Sequence, residues 1–452
     1  MRLRLAHLWE SLRATYWFIP SLMAVGAAAL ALGLVQADHM LSARQTAALG
    51  WVFSGGPEGA RSLLAMVAGS VMGTAGVTFS ITIAALTLAS SQLGPRLLSG
   101  FMRDRGNQFV LGTFIATFTY CLLVLRTVRG DEEVTRFVPA LAVTGGLVLG
   151  LASLGVLIYF IHHVAVSIQA PNVVASVGRE LAREVEREFA IPDGSEPSLD
   201  ATLPDGFDER ADAVPSPADG YVQAVDDRGL LRFAERTGTL LVAEMRPGSF
   251  VIEGGPLVRA WPPESLDDEG RRALRACFVI GSQRTAEQDV EFAVDQLVEV
   301  AVRALSPAIN DPFTAMGSLD WLGAALCRAA RGRTPYSFVR GADGEVRVVQ
   351  RCPIRFVGLV DAAFNQIRQF GARSPAVVLR MLETIHAVLR CTRGDPDEVD
   401  ALVRHAEMVH RAGMDGAAEP RDRADIEDRY RDVLYAARDL LARVTAGAAA
   451  DG

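Results

Sequence analysis

The sequence predicts a membrane α-helical protein with four transmembrane helices, followed by a cytoplasmic α+β region that contains a small β-barrel-like or sandwich-like segment and a helical domain. Three observations predict this fold class. The chain of 452 residues is long enough for two to three domains. Hydrophobic residues make up 50% and charged residues 22% of the chain, which suits a membrane part joined to a soluble part. The long apolar segments all lie before residue 163.

Four apolar segments are each long enough to cross about 30 Å of hydrocarbon as a helix. None of them carries a charged residue in its middle. The sequence therefore predicts four transmembrane helices, at Tyr16–Val35, Leu63–Ala89, Gln108–Leu125 and Phe137–Ile161.

The distribution of arginine predicts the orientation of these helices. Residues 2–13 hold three arginines against Glu10, and residues 96–105 hold three against Asp104. The other two loops are nearly balanced in charge. Because positively charged loops stay on the cytoplasmic side, we expect both termini in the cytoplasm and the lipid bilayer as a partner.

The second apolar segment has two unusual faces. Small residues recur three to four positions apart, and Gly69-x-x-x-Gly73 permits close approach of another helix. Threonines follow at i, i+4 on an adjacent face. One interpretation is a pathway-lining helix in an oligomer, with candidates Gly69, Gly73, Thr74, Thr78 and Thr82. The alternative is tight packing in which each threonine hydroxyl bonds a carbonyl of the preceding turn.

His162 and His163 lie where the fourth apolar segment is expected to meet the cytoplasm. Histidine changes its charge near neutral pH, so both residues are candidates for pH sensing. The alternative is a polar anchor at the membrane surface.

The remaining chain divides by composition. Glycine-punctuated apolar runs such as Gly220–Val225 and Gly238–Ala243 predict short strands, with a turn at Asp226–Gly229 and a further strand at Leu230–Phe233. The expected regions are a transmembrane domain at 1–163, a charged helix and linker at 164–217, a small β-rich domain at 218–262, a mainly helical domain at 263–446 and a disordered tail at 447–452.

The β-rich stretch resembles the barrel-sandwich domains that carry biotin or lipoate, through the segments "GYV…VD", "RPGSFV" and "EGGPLV". Those domains attach their cofactor to a lysine. All 45 Lys and Arg residues of this chain are arginine, so covalent attachment is excluded and only the scaffold interpretation remains.

The helical domain opens with an apolar periodicity from Val290 to Leu305, preceded by a capping box at Thr285-x-x-Gln288. Asp311 followed by Pro312 predicts a helix N-cap with proline in the first turn. Polar residues nearby could line a polar or cation site between helices; the alternative is a helix corner capped by Asp311. The candidates for this site are Asp289, Asp295, Asn310 and Asp311.

A β-hairpin and four further helices are predicted after this corner. The hairpin strands are Tyr336–Arg340 and Glu345–Gln350. The helices are Phe356–Phe370, Pro375–Cys391, Pro396–Arg411 and Arg421–Ala446.

Several function classes are disfavoured by composition. A net charge of −8 argues against nucleic acid as a partner. The five cysteines are too far apart for metal spacing or a disulfide framework. No combination of nucleophile, base and orienting acid stands out, so we expect no enzyme, no catalytic residue, no metal and no cofactor.

Specific segments connect the chain to a known family. The segments "TFSITIAALTLASSQLGPRLL", "FMRDRGNQFVLGTFIATFTYCLLVL" and "VEVAVRALSPAINDPFTA", with four spans before a cytoplasmic region, resemble bacterial predicted membrane proteins grouped as domain of unknown function 2254. The resemblance covers nearly all of residues 8–440. It implies a multi-pass protein of the bacterial inner membrane and carries no catalytic residues.

Two functions are compatible with these observations. The first is a homo-oligomeric channel- or transport-like protein with a cytoplasmic regulatory region. The alternative is a membrane-anchored sensor or scaffold that binds a protein partner or a small ligand through its cytoplasmic domain.

Overall fold

The computed structural model describes residues 17–40, 52–94, 104–129, 137–189, 203–286, 288–332 and 338–450. The chain forms two compact units, Met1–Asn172 and Val173–Gly452. Several predictions fall outside the described residues. They are the arginines of residues 2–13, residues 96–103 of the arginine-rich loop, residues 191–202 of the linker, the hairpin residues 336–337 and the last two residues of the tail.

The first unit contains four helices that are long and apolar enough to cross a membrane, as the sequence predicts. They are α1 (Phe18–Met40), α2 (Pro57–Leu93), α3 (Arg105–Leu125) and α4 (Ala140–Ser167). Asp38, at the end of α1, supplies the cap of α4. Its carboxylate accepts hydrogen bonds from the backbone N–H groups of Leu141 at 3.0 Å and Ala142 at 2.9 Å. The first backbone N–H groups of a helix have no acceptor within the helix, and these two bonds supply acceptors for two of them in α4.

Helix α3 is the most buried of the four and packs against α1, α2 and α4. Tyr120 of α3 is fully buried, and its hydroxyl donates to the carbonyl of Ala142 at 2.8 Å. Large side chains that are almost completely buried fill the space between the helices, including Leu64, Phe114 and Phe160. The middle of the described four-helix unit is therefore a packed core.

The second unit contains two β-sheets. Its strands are β1 (Asp212–Pro215), β2 (Gly220–Val225), β3 (Leu240–Ala243), β4 (Phe250–Val251), β5 (Pro256–Trp261), β6 (Phe278–Gly281), β7 (Phe338–Arg340) and β8 (Val346–Gln350). One sheet has the order β1-β5-β3-β8-β7 and the other β4-β2-β6. Neighbouring strands are antiparallel except β3 and β8, which run parallel. The described strands form no closed barrel, so the barrel-like expectation for residues 218–262 is wrong.

A helix replaces the predicted turn and strand at residues 226–233. Helix α7 (Asp227–Thr237) begins after Asp226, whose carboxylate accepts the backbone N–H of Gly229 at 2.9 Å. Leu230, Phe233 and Ala234 are buried at helical spacing. The sequence prediction took Asp and Gly as turn residues, whereas here the aspartate is an N-cap.

The other helices of the second unit form its larger part. They are α5 (Ala170–Glu188, which begins before the boundary between the units), α6 (Phe207–Arg210), α8 (Asp268–Arg275), α9 (Val290–Ala304), α10 (Pro312–Arg331), α11 (Phe356–Gly371), α12 (Pro375–Leu389), α13 (Pro396–Gly416) and α14 (Pro420–Ala450). The predicted hairpin is confirmed by β7 and β8, and the four predicted C-terminal helices by α11 to α14. Helix α14 continues to Ala450, where a disordered tail was expected from residue 447.

Aspartate caps start several of these helices. Asp311 accepts the backbone N–H of Thr314 at 3.1 Å, and Pro312 follows in the first turn, as predicted. The predicted capping box at Thr285 and Gln288 is wrong, because Asp289 caps α9 through the N–H of Phe292 at 3.0 Å. Gln288 instead bonds backbone groups of Val225.

Glu398 makes the stability of the helical part depend on pH. Burial and the neighbouring Asp395 raise the pKa of this glutamate from 4.5 to about 7, against the opposing charge of Arg393. The folded state therefore holds the proton more tightly than the unfolded state. The resulting stabilisation is complete below pH 4.5 and is lost as the pH rises through 7.

We expect Glu398→Gln to stabilise the protein by roughly 1–2 kcal/mol at pH 8, after allowance for the helix dipole that favours the carboxylate. At pH 4 the variant and the parent should unfold alike. Thermal unfolding of both proteins at the two pH values measures this. If the unfolding temperatures of the two proteins differed equally at pH 4 and pH 8, the raised pKa of Glu398 would not be the cause of the stabilisation.

Candidate functional site

Helix α2 carries a continuous stripe of small and hydroxyl-bearing residues on its exposed side. The positions follow a spacing of three and four residues over about 44 Å of helix. Eight of the nine exposed residues at these positions are glycine, alanine, serine or threonine. The α2 stripe consists of Ser62, Met66, Gly69, Gly73, Gly76, Ser80, Ala84, Thr87 and Ser91.

The glycines of the α2 stripe leave open space beside the helix backbone. A Cβ atom added at Gly69, Gly73 or Gly76 would meet nothing within 4 Å. Three hydroxyls of the stripe, those of Ser80, Thr87 and Ser91, donate within their own helix. Ser80 donates to the carbonyl of Gly76 and Thr87 to that of Ile83, both at 2.9 Å. Their oxygen lone pairs remain as acceptors.

The five predicted pathway-lining residues do not share one face. Gly69 and Gly73 lie on the exposed α2 stripe, whereas Thr78 and Thr82 are buried inside the first unit and Thr74 is half-buried. Thr74 and Thr82 donate to carbonyls one turn earlier at 2.9 Å, as in the packing interpretation. The Thr78 hydroxyl is buried and has no partner among the described residues.

The two candidate pH sensors occupy different surroundings. His163 Nε2 lies 2.6 Å from Asp104 Oδ2, and its ring stacks on Tyr159 with centroids 5.3 Å apart. Asp104 is also the N-cap of α3, through the N–H of Gly106 at 2.8 Å. His162 is exposed. Of the two, His163 is the one that links the end of α4 to the start of α3.

Asp289 and Asp295 are both held by Arg284. The guanidinium binds Asp289 through Nε at 2.8 Å and Nη2 at 2.9 Å, and it binds Asp295 through Nη1 at 2.9 Å. Asp289 is 1% exposed. Burial lowers the pKa of Arg284, but the bonds and charges of the two aspartates outweigh it and the net shift is upward. The group is an internal ion-pair network around the start of α9, which we call the Arg284 network.

The other two candidates lie at the opposite end of α9. Asp311 caps α10 and also accepts the Thr314 hydroxyl at 2.5 Å. Asn310 is exposed and adopts a left-handed backbone with φ 51°. About 22 Å of helix separates this corner from Asp289. The structure thus places the four residues in two separate groups, and the corner around Asp311 has the geometry of the capping alternative.

A cavity of about 260 Å³ lies within the second unit at the carboxyl ends of the parallel strands β3 and β8. Ala243 and Gln350 are the last residues of these strands, and both line the cavity. Its other polar lining residues include Arg187, Glu188, Asp227, Arg246 and Gln288.

Charged side chains line this cavity at two points, a basic one at Arg246 and an acidic one at Glu188 and Asp227. Arg246 Nη2 donates to both carboxylate oxygens of Glu291 at 2.8 Å. Its Nη1 is buried and has no partner in the part of the chain that the structure describes. On the acidic side, burial raises the pKa of Glu188, with a contribution from Asp227 and against the nearby Arg187 and Arg246.

Sequence reasoning did not find these cavity residues. They come from α5, β2, β3, β8, the start of α7, the segments that follow β3 and β8, and the segment just before α9. No local pattern connects such distant positions. The signal that could have been used is Asp226–Asp227 as a helix start. Among the described residues, no group of three histidine, cysteine, aspartate or glutamate side chains could hold a metal ion.

Comparisons with known proteins agree with the architecture. A family described as predicted membrane protein (DUF2254) matches residues 13–387. The uncharacterized proteins Rv1290c of Mycobacterium tuberculosis (strain H37Rv) and Mb1321c of Mycobacterium bovis are 36% identical to this chain over 383 residues, which cover 82% of this chain and 72% of each relative. No solved structure matches. The chain therefore belongs to the DUF2254 family of predicted membrane proteins.

Proposed function

We propose that the protein is a homo-oligomeric, channel- or transport-like protein of the bacterial inner membrane, in which α2 helices of several copies face one another. The observation that carries the proposal is the α2 stripe. Lipid chains gain little contact from a face of glycine, serine and alanine, whereas another helix can approach such a face closely. The packed core of the four-helix unit favours a pathway between copies over one through a single copy.

The chemistry of the α2 stripe favours cations or water over anions. The hydroxyls of Ser80 and Thr87 use their hydrogens inside the helix and present oxygen acceptors outward. No arginine lies in the described helix after Arg61. Rings of neutral oxygen acceptors suit the passage of cations.

The arginine distribution supports a topology with both termini in the cytoplasm. In this arrangement the second unit is cytoplasmic and can regulate the pathway.

Cysteine cross-linking tests the oligomer. We expect oxidised Ser80→Cys protein to form covalent dimers in membranes, because Ser80 lies in the middle of the α2 stripe. Ile81→Cys, at nearly the same depth but about 100° around the helix, is the matched control. Both variants and the parent keep the five native cysteines, so any cross-linking through native cysteines is the same in all three proteins. Equal cross-linking of the two variants would overturn the α2 interface.

Ion flux tests the pathway itself. Vesicles reconstituted with purified protein should release K⁺ faster than empty vesicles and faster than they release Cl⁻. A leak equal to that of empty vesicles would overturn the channel-like function even if the oligomer exists.

The second candidate is a membrane-anchored sensor or scaffold, which the cavity in the second unit favours. Ligand binding without any flux would support this candidate.

A further inference from the structure

Two cysteines that are far apart in the sequence come together where helices α10 and α12 pack against each other. Cys327 lies in the last turns of α10, and Cys391 follows the end of α12. We propose that these two free thiols are a redox modification site, at which a hydroperoxide converts them into a reversible disulfide. The site lies within the second unit and does not depend on the α2 oligomer.

The register between the two helices brings the cysteines together. Arg380 of α12 donates to Asp320 of α10 at 3.1 Å. About one turn further along both helices, a Cβ atom added at Gly323 would lie 2.5 Å from Thr384 Cγ2. The helices therefore run in the same direction, and their backbones approach closely just before the cysteines.

Two hydrogen bonds continue this register on either side of the thiols. The Cys327 thiol donates to the carbonyl of Ala387 at 3.7 Å. A carbonyl in a helix points toward the following turn, and here that turn leads to Cys391. Arg331, one turn after Cys327, donates through Nη2 to the Cys391 sulfur at 3.4 Å. The two thiols thus face each other across one helix contact, with Cys391 as a hydrogen-bond partner of the Cys327 side chain.

The turn that carries Cys391 is held in place. Arg393 Nη2 donates to the carbonyl of Arg331 at 2.5 Å, which ties this turn to the end of α10. The buried Thr392 hydroxyl donates to the carbonyl of Leu389 at 2.9 Å. A disulfide needs backbones that approach closely and side chains that point toward each other. The contact between α10 and this turn supplies both conditions.

The surroundings of the two sulfurs give them different roles. Burial and the neighbouring Cys391 raise the pKa of Cys327 to about 12, against the charges of Arg331 and Arg328. Cys391 is partly exposed and accepts a hydrogen bond from the Arg331 guanidinium. A cationic donor favours the thiolate, which is the form that attacks a peroxide. Cys391 is therefore the attacking sulfur, and Cys327 is the resolving sulfur.

The oxidation has two steps. The Cys391 thiolate attacks one oxygen of the hydroperoxide: an S–O bond forms, the O–O bond breaks, and the other oxygen takes up a proton and leaves as water or an alcohol. Cys327 then attacks the sulfur of the resulting sulfenic acid: the S–S bond forms, the S–O bond breaks, and hydroxide leaves as water with the Cys327 proton. The two thiols lose two electrons and two protons, and the hydroperoxide accepts all of them. A dithiol reductant reverses the change by exchange.

Peptide mapping of the oxidised full-length protein tests the site. Reduced protein in detergent is treated with hydrogen peroxide, the remaining thiols are alkylated after unfolding, and the peptides are identified by mass spectrometry without reduction. We expect the peptide of Cys327 to be linked to that of Cys391, and dithiothreitol to separate them. Absence of this pair at millimolar peroxide would overturn the site. So would a disulfide in which the exposed Cys352 replaces either cysteine.

Two serine variants test the roles of the sulfurs. Oxidation of Cys327→Ser protein should stop at the sulfenic acid of Cys391, which dimedone labels. Oxidation of Cys391→Ser protein should leave Cys327 without label, because its raised pKa keeps it a thiol. The reverse labelling pattern would show that the roles are exchanged and would contradict the proposed mechanism.

Arg331 is a positioning residue, and a pH profile tests its part. Arg331→Met should slow disulfide formation about tenfold at about pH 7, and the difference should shrink toward about pH 9, where thiolate forms without a cationic donor. Arg380→Met removes another arginine between the same two helices, about three turns before Cys391, and is the matched control. It should react like the parent. Equal slowing by both variants at every pH would assign the effect to the helix contact and refute the role of Arg331.

Discussion

Replacing Arg284 by methionine is expected to destabilise the second unit by about 3–5 kcal/mol, because it leaves the buried Asp289 without a counter-charge. Arg284 holds this carboxylate through two parallel hydrogen bonds, and its guanidinium carbon lies 5.4 Å from the centre of the Phe292 ring. Methionine keeps most of the apolar contact and removes only the charge and the donors. Thermal unfolding of the full-length protein should show a fall of roughly 10 °C.

A matched control and a rescue separate this effect from general damage. Arg303→Met removes an i, i+4 pair with Glu299 in which the arginine side chain is 38% exposed, so its cost should stay below about 1 kcal/mol. Adding Asp289→Asn to Arg284→Met should restore part of the stability. Asparagine caps a helix nearly as well as aspartate and carries no charge to bury. Equal losses for Arg284→Met and Arg303→Met would show that the Arg284 network is not stabilised as proposed.

The Arg284 network also shows where sequence reasoning stops. In the sequence, Asp289 and Asp295 lie with Glu299 and Arg303 on the polar face of an amphipathic helix. Their grouping with Asn310 and Asp311 assumed that residues near in sequence form one site. Helix α9 has 15 residues and places Asp289 at one end and Asn310 and Asp311 beyond the other, so the four residues do not form one site. The actual partner of Asp289 and Asp295, Arg284, precedes the helix and has no periodic relation to it.

The periodic spacing of apolar residues correctly predicted those helices and strands that depend on a local sequence pattern. The four spans, the hairpin of β7 and β8 and the C-terminal helices were predictable because each follows from apolar spacing and a start signal. The prediction failed at α7, where an aspartate before a glycine fits a turn and a helix cap equally well. It also could not show which face of α2 packs inward, because Gly73 and Thr78 are compatible with either side until the neighbouring helices are placed.

The second large effect is expected at Gly73 in the α2 stripe. Gly73→Leu places a bulky side chain where close helix approach is required, so self-association in membranes should weaken by at least about tenfold. A Cβ at this position meets nothing within 4 Å, and the four-helix unit itself should stay folded. Fluorescence energy transfer between labelled copies in vesicles measures the association.

Two further substitutions complete the test. Phe79→Leu changes a side chain that is 47% exposed on a flank of α2, and it should leave association unchanged. Gly146→Leu should instead disturb folding, because its Cβ would lie 2.7 Å from Leu64 inside the core. If Gly73→Leu lowers association and K⁺ flux together, the pathway lies between copies. If association falls while flux persists, the pathway must run through the packed interior of one copy, and the assignment of the α2 stripe as its lining is wrong.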